Sequence, residues 1–117
     1  MFFPSAPCQP PKQLTARNVT DTSAILEWVY DGACAAAGLI TGYRVNYTTD
    51  GKTAQMDIMD ANITTALLEQ LTPQTSYQIE VMVLTADGRN SPPSNMVELT
   101  TDRSGSQNFE ALYPFSL

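Results

Sequence analysis

The sequence predicts an all-β fold, about seven short strands packed as two sheets face to face. Three observations carry that expectation. Several runs alternate between apolar and polar residues, no stretch sustains a helical period, and turn-forming dipeptides punctuate the chain at short intervals. At 117 residues the chain fits one domain. Its composition, 43% hydrophobic and 15% charged, is that of a folded rather than a disordered segment.

Ala24, Leu26 and Trp28 share one parity against Ile25, Glu27 and Val29, which marks a half-buried strand. Asp31-Gly32 ends it. Residues 33–38 are alanine-rich, and alanine favours helix, but a segment this short between glycines reads as an elongated loop. Tyr43, Val45 and Tyr47 then alternate with Arg44, Asn46 and Thr48 up to the turn Asp50-Gly51. Tyr77, Ile79, Val81 and Val83 repeat the pattern against Gln78, Glu80 and Met82, up to Asp87-Gly88 and Ser91-Pro92-Pro93. Met96 to Thr100 closes the series.

Charge and composition exclude several functions. The net charge is −6, and the six basic residues are scattered singly. Nucleic acid and anionic membranes both demand clustered Lys and Arg. No apolar run reaches the roughly 20 residues that span a bilayer. Met1-Phe2-Phe3, cut off by Pro4, is too short for a signal core, so a secretion signal is expected upstream and the segment reads as an excerpt of a longer protein. With no histidine, Ser-His and Cys-His catalysis is ruled out, and Cys8 and Cys34 cannot build a metal cluster. Asp57 and Asp60, read on one strand, fall on opposite faces and read as a solvated edge. Neither cofactor nor metal is expected. Sequons at Asn18, Asn46 and Asn62 exceed the roughly one expected by chance and point to a secreted glycoprotein.

Four segments in order resemble the fibronectin type III family: Pro10-Pro11 with Leu14, Thr22 to Trp28, Ile40 to Tyr47, and Leu71-Thr72-Pro73-Gln74-Thr75-Ser76-Tyr77. The last is the most specific, since in such sandwiches it forms a tyrosine corner. The resemblance covers residues 7–101, leaving 1–6 as an N-terminal extension. Residues 102–117 remain as a linker followed by a docking tail or the start of another domain, where Leu112 to Phe115 resembles the opening of nidogen-type extracellular domains. It implies a seven-stranded immunoglobulin-like sandwich of three strands facing four, with Trp28, Tyr43, Leu71 and Tyr77 as core signature. Asn46 would then face outward, leaving a glycan free to project. It also implies that the chain enters beside the loop between the second and third strands, hence a Cys8–Cys34 disulfide.

The functional expectation is a non-catalytic extracellular adhesion or spacing module of a larger cell-surface or matrix protein, with protein partners that include neighbouring domains, no nucleic acid and no membrane insertion. Two alternatives accompany it: a ligand-binding receptor module using loops 30–39 and 87–93, and an accessory domain of a secreted enzyme. Asp87, Arg89 and Asn90 are candidate loop contacts. That loop resembles the site where adhesive members carry an Arg-Gly-Asp tripeptide, but Asn90 stands where the Gly-Asp pair would follow. The tryptophan-rich box of the cytokine-receptor variant is missing, Trp28 being the only tryptophan.

Overall fold

The computed structural model describes residues 8–32, 34 and 38–104; the N-terminal extension and the tail from residue 105 lie outside them. Seven strands form: β1 (Lys12–Arg17), β2 (Ala24–Val29), β3 (Ile40–Thr49), β4 (Lys52–Ile58), β5 (Thr65–Leu68), β6 (Ser76–Thr85) and β7 (Val97–Thr100). They make a three-stranded sheet in the order β1-β2-β5 and a four-stranded sheet in the order β4-β3-β6-β7. All pairings are antiparallel. The fold class is the one the alternation predicts.

The alternating runs supply the core. Leu14, Ala24, Leu26, Trp28 and Leu68 face inward from one sheet, and Tyr43, Val45, Ile79, Val81, Val83 and Leu99 from the other. Burying these side chains removes apolar surface from water, the main favourable term in folding. The Trp28 and Tyr43 rings meet edge to face at 5.3 Å, a favoured aromatic geometry. Asp50 and Gly51, at φ 52° and 75°, form the tight β3–β4 hairpin, whose two central residues require positive φ.

Polar groups that close the sandwich are paired. The Tyr77 hydroxyl oxygen accepts the Thr72 backbone N–H at 2.8 Å, the bond expected of a tyrosine corner. Leu71 is buried beside it, and its N–H donates to the Thr22 carbonyl at 2.9 Å. Buried Thr101 accepts the Thr75 N–H and donates to the Thr72 carbonyl.

Two segments differ from expectation. Ser91-Pro92-Pro93-Ser94, read as turn chemistry, runs alongside β6. The Ser91 hydroxyl accepts the Val83 N–H at 2.8 Å and the Ser91 N–H donates to the Val83 carbonyl at 3.0 Å. Ser94 repeats both bonds with Val81. Prolines lack the N–H a strand needs, so the serines bracket them and use their side chains as second partners. In the alanine-rich loop, residues 33 and 35–37 lie outside the described set. Cys34, however, is helical, the Leu39 N–H returns to its carbonyl at 3.0 Å, and Gly38 sits at φ 72°. That bond is how helix C-termini close, so at Cys34 the loop makes a helical turn rather than running simply elongated.

Candidate functional site: the loop end of the sandwich

β1 begins, β2 ends, β3 begins, β4 ends, β5 begins and β6 ends at one end of the molecule, as the antiparallel registers require. Ile40 lies opposite Thr85, so the loops 30–39 and 86–96 are adjacent where they meet the four-stranded sheet. The turn 59–64 shares that end. The opposite end carries the β1–β2 and β5–β6 connections and the end of β7, where the Asp102 N–H donates to the Thr20 carbonyl at 3.0 Å.

A disulfide ties this loop end together. Cys8, just before β1, is bonded to Cys34, with a Cα–Cα distance of 5.7 Å and a sequence separation of 26. Below it Tyr30 packs edge-on to Tyr43 at 6.1 Å. Burial pushes the Tyr30 hydroxyl pKa up, and the negative charge of Asp31 adds to the shift. Lys12 reaches Asp31 at 3.3 Å; both are exposed, so the pair adds little.

In the neighbouring loop Asp87 organises its own turn. Its Oδ1 accepts the Thr85 hydroxyl at 2.7 Å and the Arg89 N–H at 3.0 Å, and Arg89 Nε lies 3.4 Å from Oδ2. These bonds, the Thr85 hydroxyl foremost, hold the Asp87 carboxyl below its usual range. Gly88 supplies the positive φ, 81°, that completes the turn. Asp87 and Arg89 thus sit together and exposed, with Asn90 half-buried beside them.

The other charged candidates are also tied to neighbours. Arg44 clasps Asp57 through two bonds, 2.8 and 3.1 Å, on the outer face of the four-stranded sheet. Asp60 is not on a strand with Asp57 as read from spacing: β4 stops at Ile58, and the Asp60 carboxylate accepts the Asn62 N–H at 2.9 Å. A short side chain that bonds backbone two residues on favours a turn over strand continuation. Among the described residues no group of three or more His, Cys, Asp or Glu is placed to hold a metal ion.

The sequons divide between locations. Asn18 follows β1 at the far end, exposed and at φ 52°. Asn62 is exposed in the turn 59–64. Asn46 faces outward from the middle of β3, but its amide is not free. Nδ2 donates to the Met82 sulfur at 3.4 Å, and Oδ1 is buried.

Sequence reasoning missed Asn95. Its side chain copies a strand, Oδ1 accepting the Leu14 N–H at 2.9 Å and Nδ2 donating to the Leu14 carbonyl at 3.1 Å. A bulge in β1, with Gln13 at φ 58°, turns Leu14 towards it. Nothing in the sequence around Asn95 marks a bond to a residue 81 positions away.

Comparison with known proteins is consistent with this geometry. The family model described as "Fibronectin type III domain" matches residues 9–100. Fibronectin type III domain-containing protein 1 of Margaritifera margaritifera is 40% identical over 72% of this chain and 10% of its own length. The collagen alpha-1(XII) chain of Notophthalmus viridescens is 31% identical over 80% of this chain and 10% of its own length. Receptor-type tyrosine-protein phosphatase F of Mus musculus is 30% identical over 84% of this chain and 5% of its own length. The chain therefore spans a tenth or less of these relatives. Among solved structures, the chicken CNTN1 FN1-FN3 domains superpose with a TM-score of 0.72 at 18% identity, over 83% of this chain and 32% of theirs.

Proposed function

The chain belongs to the fibronectin type III family, and on that premise we propose that it is a non-catalytic extracellular module that spaces and contacts other proteins within a larger receptor or matrix protein. The family is generally non-catalytic, and its matched relatives include a collagen chain and a receptor-type phosphatase. One observation carries the reading. The fold starts at the disulfide-tied loop end and finishes at the other end, where Asp102 is pinned to Thr20. A module held this way keeps its two flanking segments a fixed distance apart. The disulfide supports the extracellular part of the reading, since such bonds persist in oxidising surroundings.

The test is attachment. Cells plated on a surface coated with the exported, folded chain attach more than cells on the same chain reduced and alkylated. Equal attachment contradicts a contact role.

A second reading is favoured by the adjacency of the loops 30–39 and 87–93: a receptor module whose ligand engages both. In that case, replacing the exposed Asp31 and Leu39 of the first loop, or the exposed Arg89 of the second, with alanine abolishes attachment while the disulfide and the Ser91 bonds stay in place. The first reading expects attachment to survive both replacements.

A further inference from the structure

The three sequons leave folding in different states. The side chain of Asn62 is exposed and makes no hydrogen bond; only its backbone is engaged, by Asp60. Asn18 is likewise exposed and without a side-chain hydrogen bond, at the opposite end of the sandwich. Asn46 lies between Gln55 of β4 and Glu80 of β6, and its amide is seated against the sheet. Nδ2 faces the Met82 sulfur and Oδ1 is buried without a partner.

The chemistry of N-glycosylation makes this difference decisive. An oligosaccharide is transferred from a lipid pyrophosphate to asparagine Nδ2. The anomeric carbon–phosphate oxygen bond breaks, a carbon–nitrogen bond forms, the lipid pyrophosphate leaves with the bonding pair, and Nδ2 gives up one proton. The sugar must afterwards leave the protein along the direction of Nδ2. At Asn46 that direction runs into Met82. Flipping the amide, whose two ends have nearly the same shape, moves Nδ2 into the buried position Oδ1 now holds. In either orientation one amide end lies against Met82 and the other is buried, so a glycan at Asn46 requires the side chain to leave this seat.

We infer that Asn18 and Asn62 carry N-linked glycans and that Asn46 stays bare in the folded, exported protein. The inference rests on the extracellular reading above. It places one glycan at each end of the sandwich and none on the outer face of the four-stranded sheet.

The test is a peptide map of the 117-residue chain, exported from mammalian cells behind a secretion signal, reduced, and digested with trypsin. Cleavage after Arg17, Arg44, Lys52 and Arg89 puts each sequon on its own peptide: 18–44, 45–52 and 53–89. Peptide N-glycosidase in heavy-oxygen water converts every glycosylated asparagine to a labelled aspartate. The expected result is label on 18–44 and 53–89 and none on 45–52. Label on 45–52 overturns the inference, as does a product exported with its disulfide formed but missing label on 18–44 or 53–89. A chain that stays inside the cell with both thiols free overturns instead the extracellular reading beneath it, so the two failures are told apart.

Discussion

At the scale of single residues, stability rests on a few groups that have no substitute. Tyr77 is one: its hydroxyl oxygen is the acceptor for the Thr72 N–H, at 2.8 Å, where the chain crosses between sheets. Tyr77→Phe keeps the ring in the core and leaves that N–H unpaired. The expected cost is about 1–2 kcal/mol, read as a lower urea midpoint with an unchanged slope. Gly42 is another. A Cβ built there would stand 2.0 Å from the Ile58 carbonyl oxygen, which is strand backbone and cannot move aside cheaply. Gly42→Ala is therefore expected to cost more than the roughly 1–3 kcal/mol typical of overpacking, because it pushes β4 from β3. Hydrogen exchange would show β4 losing protection first; unchanged protection would contradict the close approach.

At the scale of elements, the Ser-Pro-Pro-Ser run stands in for the start of a strand. Ser91→Ala or Ser94→Ala leaves the Val83 or Val81 N–H without its hydroxyl acceptor, in a buried position. Each change should cost about 1–3 kcal/mol. Serine to threonine keeps the oxygen, and smaller loss there would show that the hydroxyl, not the volume, matters. The run is legible only as a turn, because proline hides strand pairing and the hydroxyl bonds depend on tertiary placement. Strands β2, β3 and β6 are plain in the sequence, since each has one face buried and so alternates. β4 reads poorly: five of its seven residues are exposed, so its apolar and polar positions are not separated by burial. β5 is four residues long, too short to establish a period. At the loop end, the pairing of Cys8 with Cys34 comes from the family resemblance, and the turn at Asp87-Gly88 from its residue types. The role of Asp87 as an acceptor for Thr85 and Arg89 does not, because a turn signal gives no side-chain partners. The outward parity of Asn46 is readable; the seating of its amide on Met82, a strand away, is not.

At the scale of the molecule, acid is expected to loosen the sandwich. Glu27, Asp57 and Asp87 each have a pKa held below the ordinary carboxylate value, by bonds from Arg17, Arg44 and Thr85 respectively. For a depressed carboxylate the contribution is present above the unfolded pKa and is lost as pH falls through the folded one. The melting temperature should stay level from pH about 7 to 5 and decline below about 4. The decline is small, because all three groups are exposed and screened by solvent, and it shrinks further in salt. A melting temperature that rises on acidification to pH about 3 would contradict these pairings. The disulfide acts on the whole chain in a different way. By closing a loop of 26 residues in separation, it limits the unfolded ensemble, and in the chain-entropy model this is worth roughly 3.5 kcal/mol.

The central claim, an exported sandwich closed by its own disulfide, is tested most directly by intact mass. The chain is secreted from mammalian cells, denatured, and treated with a thiol-alkylating reagent, without and then with reductant. The account predicts a monomer that takes up no alkyl group until reduction, and then one on each of Cys8 and Cys34. Alkylation before reduction, or a disulfide-linked dimer, would contradict it.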